Sequence, residues 1–86
     1  MSEYRYELDV LAKCPRFPDR IDTYHVMLVS TDVIIEVETI LEFFEPYQTR
    51  EGVFQEVIAN EAARRFRCEV EITGWHQGVK VTAVAP

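Results

Sequence analysis

The chain has 86 residues, enough for one core and too few for a second, so it reads as a single domain, 1–86. Apolar residues make up 48% of it and charged residues 28%, the proportions of a globular chain and not of a disordered one. The formal net charge of -6 argues against a general nucleic-acid binder, because affinity of that kind comes from Lys and Arg set against phosphates.

From Glu3 to Ala12 the sequence alternates, with Tyr4, Tyr6, Leu8, Val10 and Ala12 on one side, and this period of two predicts a half-buried strand. Two prolines in Cys14–Asp19 then impose a loop. Thr23–Ser30, rich in β-branched and aromatic residues, predicts a second strand. Beyond Val33-Ile34-Ile35 the period lengthens: Val37, Ile40, Leu41 and Phe44 mark a helix that ends near Pro46. A second helix is predicted from about Gly52 to Phe66, with Val53, Phe54, Val57, Ile58, Ala62 and Phe66 on its apolar stripe. Cys68–Thr73 alternates, Gly74–Gly78 predicts a glycine-bounded loop, and Val79–Val84 alternates again, which together make a hairpin. The order ββααββ implies an α+β fold, an antiparallel sheet with both helices on one face. A layer of this size leaves a semi-polar face and open edge strands, so assembly of a homo-oligomer into a ring or barrel is expected.

No apolar run approaches the ~18 residues of a membrane helix, and Met1–Arg5 is not a basic-then-apolar leader. The expectation is a cytoplasmic chain with no membrane contact. Two cysteines are too few for a disulfide framework and read as free thiols. Cys68 opens an alternating strand and reads as core. Cys14 stands where a strand gives way to a loop, between Lys13 and Arg16. Neighbouring cations favour the thiolate, the nucleophilic form, while the competing reading is a small buried apolar residue.

Asp19 and Asp22 follow Cys14 by five and eight positions, near enough for one carboxylate to exchange a proton with it, although acids in loops are usually turn formers. Glu56 is either a first-turn acid favoured by the helix dipole or a ligand for the amidine edge of a guanine-like base, with Gln55 beside it as a further polar contact. His76, in the predicted hairpin loop, is a candidate binding residue. Trp75 is either a stacking platform or a subunit contact. No Cys or His pair has the short spacing of a zinc site, so no metal is expected, and this weighs against a pterin-type cyclohydrolase. Arg64, Arg65 and Arg67 form a local basic cluster that also complements a helix C-terminus.

Cys14-Pro15 with Asp22 heading the second strand, Glu36 after Val33-Ile34-Ile35, and Phe54-Gln55-Glu56 opening the second helix resemble, in that joint order, the nitrile reductase family of the queuosine pathway and its shorter archaeosine-forming amidinotransferase relative. The resemblance runs from Glu7 to Val84. It implies a tunnelling fold, a 7-cyano-7-deazaguanine substrate free or in tRNA, and sites at subunit interfaces. It also implies Cys14 as the nucleophile forming a thioimide, Asp22 as general acid, and Glu56 and Glu36 as base ligands. Three departures stand out. The family loop usually separates cysteine from aspartate by seven positions, which leaves Asp22 and Asp19 both open as the acid. Gln55 replaces a histidine usual in the reductases. Where those enzymes carry lysines for NADPH, this chain has Glu36, Glu38 and Glu42, which would repel that cofactor. The expectation is therefore amidine formation with ammonia and no cofactor. The alternatives are NADPH-dependent reduction and a non-catalytic base-binding or assembly module.

Overall fold

A computed structural model describes residues 1–17 and 19–86; Pro18, predicted in the first loop, lies outside the described residues. Strands β1 (Glu3–Lys13) and β2 (Ile21–Thr31) are followed by helices α1 (Val37–Phe44) and α2 (Gln55–Phe66), with a short 3₁₀ turn at Glu45–Gln48 between them. Strands β3 (Glu69–His76) and β4 (Val79–Ala85) close the chain. The sheet is antiparallel throughout, in the order β1-β2-β3-β4. The fold is thus the expected α+β arrangement, a four-stranded antiparallel sheet with two helices on one face.

Alternation accounts for the core. Val10 and Ala12 on β1, Tyr24, Val26 and Leu28 on β2, and Val70 and Ile72 on β3 all turn toward the helices and are buried. Ile40, Phe44 and Tyr47 cover them at one end, and Ile58, Ala59, Ala62 and Phe66 at the other. The alanines let α2 lie close to β3 and β4, and aromatic edges of Phe43 against Phe44 and Phe66 fill the space between the helices.

The boundaries differ from expectation in three places. Both early strands run longer, because the ladder continues through Ala12↔Asp22 and Lys13↔Ile21 right up to the loop. The second helix starts at Gln55, not Gly52: Phe54 is extended (φ -69, ψ 152), and the buried stripe is Gln55, Ile58, Ala59, Ala62, Ala63 and Phe66. Phe54 and Val57, predicted on the stripe, are exposed, as are Val37 and Leu41 on α1. Gly74, Trp75 and His76 are not loop residues. They extend β3, and a two-residue turn at Gln77 (φ 51) and Gly78 (φ 83) makes the reversal between paired His76 and Val79. Positive φ at both central residues is what a twist-matched hairpin turn requires.

No helix of the described residues is long and apolar enough to cross a membrane.

Candidate functional site

One end of the sheet, where the β1–β2 loop meets the start of α2, carries the chemistry. Cys14 continues the helix-facing series Val10, Ala12, and its backbone N–H donates to the Arg20 carbonyl at 2.9 Å, which closes the loop. Arg20 N–H in turn donates to the Phe17 carbonyl at 2.8 Å. On the facing strand Asp22 and Tyr24 occupy the same side of the sheet. The linker into α2 is pressed against this corner: a Cβ on Gly52 would lie 2.7 Å from the carbonyl carbon of Cys14 and from the nitrogen of Pro15. Only glycine permits that approach, and it brings the N-terminus of α2 over the cysteine.

The result is a cleft of about 260 Å³ lined by Cys14, Pro15, Arg16, Asp22 and Tyr24 from the sheet side, Phe54, Gln55 and Glu56 from α2, and His76 and Val81 from the hairpin. It adjoins a second hollow of about 320 Å³ that shares Cys14, Arg16, Asp22 and His76 and adds Phe17 and Arg20. A larger hollow of about 580 Å³ lies at the opposite end of the sheet, beside Cys68 and Arg67. We take the 260 Å³ cleft as the site, because there the thiol, Asp22 and His76, which it shares with its neighbour, meet the apolar Phe54 and the polar Gln55 and Glu56 of α2.

Within the cleft Asp22 is 9% exposed, and its Oδ1 accepts from Arg20 Nε at 2.9 Å, so its charge is paired at the rim. Burial, with the nearby Asp22, Cys14 and Glu56, pushes the Tyr24 phenol up to about 12. Tyr24 therefore stays a neutral hydroxyl at working pH. Gln55 donates through Nε2 to the carbonyls of Ile72 and of Val81, the latter at 2.8 Å, and its Oε1 lies 3.0 Å from His76 Nε2. Glu56 stands exposed in the first turn of α2, where the helix dipole favours a negative charge.

The candidates Cys14, Asp22, Gln55, Glu56 and His76 thus share one cleft. Asp19 is exposed on the loop and does not line it. Glu36 is exposed at the start of α1, where its carbonyl accepts from Thr39 and Ile40, and it too lies outside the cleft. Trp75 points to the helix-free face, 63% exposed. His25 sits on that same face, bound by Glu7 and Asp9. Cys68 is half-buried against the core, and burial pushes its thiol up. Arg64 and Arg65 end α2, and Arg67 caps it in the left-handed region. Tyr24, Arg20 and Val81 were not singled out in the sequence. Tyr24 had a signal, since it follows Asp22 by two along one strand face. No group of three or more metal-ligating side chains occurs among the described residues.

A ββααββ chain with a four-stranded antiparallel sheet and both helices on one face is a tunnelling-fold unit. The solved apo structure of the archaeosine synthase QueF-Like has this fold, with a TM-score of 0.87 over 99% of this chain and 92% of its own, at 19% sequence identity. No protein-family model and no curated protein matches the sequence.

Proposed function

We propose that the chain processes 7-cyano-7-deazaguanine, free or within tRNA, through a covalent thioimide on Cys14, and that ammonia is the second substrate. The observation that carries this is the convergence of Cys14, Asp22 and Glu56 in one cleft whose size suits a bicyclic base. The fold shared with an archaeosine synthase supports the same reading.

In this scheme the Asp22 carboxylate takes the Cys14 thiol proton as the sulfur adds to the nitrile carbon and hands it to the nitrile nitrogen, leaving a C=N–H thioimide. Ammonia then adds to that carbon, one of its protons passes through Asp22 to the departing Cys14 sulfur as the C–S bond breaks, and the product is an amidine with Cys14 and Asp22 restored. The net change is addition of ammonia to a nitrile. Glu56 accepts the N–H donors of the base, and Tyr24 and Phe54 form apolar walls beside the ring. Glu36, outside the cleft of its own chain, has a role in this scheme only as a contribution from a neighbouring copy. Exposed Glu36 at the start of α1, with Glu38 and Glu42 on it, disfavours the phosphates of NADPH, which supports ammonia over hydride.

Intact-mass measurement after incubation with the cyano base tests the scheme. Wild-type chain gains the mass of the base, Cys14→Ala does not, and ammonia releases the adduct as amidine. No adduct, or an equal adduct on Cys14→Ala, rejects it.

A further inference from the structure

Gln55 is the one polar side chain of α2 that is buried, 6% exposed. A primary amide offers two N–H donors on nitrogen and one accepting oxygen. Both donors are committed, because the nitrogen faces the carbonyl oxygens of Ile72 and Val81, which can only accept. Turning the amide over would set oxygen against two oxygens, so its partners fix its orientation. Oε1 must therefore accept from His76, and Nε2 of His76 must carry the hydrogen.

That leaves Nδ1 as the ring's lone-pair nitrogen, with no hydrogen-bond partner among the described residues. The ring also neighbours an aromatic one. Its centroid is 6.1 Å from that of Tyr24, and Tyr24 lies so close over Gly74 that a Cβ there would come within 2.5 Å of the phenol ring. His76 lines the same cleft as Cys14 and Glu56.

We propose that Gln55 is a positioning residue that holds His76 as its Nε2–H tautomer, and so makes Nδ1 an obligate acceptor for an N–H donor of a heterocyclic base in the cleft. Held the other way, the imidazole would donate and select a ring nitrogen or carbonyl instead, so Gln55 sets the specificity of His76. The inference rests on the cleft being a base site and not on thioimide chemistry.

Long-range proton–nitrogen correlation spectra of labelled wild-type chain, in mildly alkaline buffer, read the tautomer directly, with guanine as the probe. The expected result is a pyrrole-type Nε2 and a pyridine-type Nδ1 on His76, with the Nδ1 signal moving on titration with guanine. Gln55→Met should mix the tautomers and weaken guanine binding about tenfold, as should His76→Phe, with little further loss in the double variant. A wild-type Nδ1–H tautomer, or an Nδ1 signal unmoved by guanine, overturns the proposal. If Gln55→Met does not fold, the wild-type spectra and the affinity of His76→Phe decide. A Cys14 adduct without the guanine shift sinks this inference alone, and the shift without an adduct sinks the thioimide alone.

Discussion

The two histidines show how partners, more than residue type, decide what an imidazole does. His76 meets one acceptor, the Gln55 oxygen, and its other ring nitrogen has no hydrogen-bond partner among the described residues. His25 meets two carboxylates, Glu7 on Nε2 at 3.0 Å and Asp9 on Nδ1 at 3.2 Å. Two acceptors ask for two N–H groups, which only the imidazolium supplies. The hydrogen bonds to Glu7 and then Asp9 accordingly raise His25 above its usual 6.5. Because the folded value lies above the unfolded one, His25 contributes stability that is fully present below about 6.5 and is lost as pH rises through the raised midpoint. The ring is half exposed, so the contribution is small. Proton NMR titration should give a His25 midpoint above 6.5, lowered by Glu7→Gln and by Asp9→Asn; a wild-type midpoint at or below 6.5 would show that the bridge does not persist in solution.

Elements place the site, and here sequence and structure part company in instructive ways. Period-two and helical patterns carry the strands and helices because burial on one face is written in every second or every third to fourth residue. The approach of α2 to Cys14 is not periodic. It depends on Gly52 lacking a Cβ and on Phe54 being extended, and neither follows from propensity. Gln55 illustrates the same limit: beside Glu56 it reads as a further polar contact for a base, whereas here its amide nitrogen joins α2 to β3 and β4 through two carbonyls. Gly74 reads as the first residue of a loop, yet it is a strand interior that yields its side-chain space to Tyr24. By contrast, Cys14 and Asp22 were legible because a strand end and a strand start joined by a short loop must lie together. Gly52→Ala should therefore lower stability by about 1–3 kcal/mol as the linker and the Cys14–Pro15 backbone separate. It should also slow alkylation or adduct formation at Cys14 more than Gly78→Ala, whose added Cβ meets nothing within 4 Å and strains only the turn. Urea melts and mass-detected labelling rates compare them, and equal labelling in the two variants would detach Gly52 from the site.

At the scale of the molecule the chain is a thin slab of 43 × 25 × 17 Å with its helices on one side only. Among the described residues the outer edges of β1 and β4 have no strand partner, and such rows of unpaired N–H and C=O groups ordinarily recruit one. Edge strand β4 leaves apolar side chains exposed on both of its faces, Val79 at 62% and Val84 at 60%. Little Lys protects that edge, since Lys80 is its one cation. Glu56 also stands open at the cleft mouth, so a second copy pairing along these edges would enclose the site as well as the strands. We expect scattering or light-scattering mass measurements to return a multiple of 10.1 kDa. Val79→Lys with Val84→Lys should shift the particle toward the monomer while far-UV dichroism keeps its α+β signature, because both side chains are mostly exposed within the single chain and neither belongs to its core. A wild-type mass of one chain, or a double variant that assembles unchanged, would mean that β4 is not a contact edge and that the cleft works open to water.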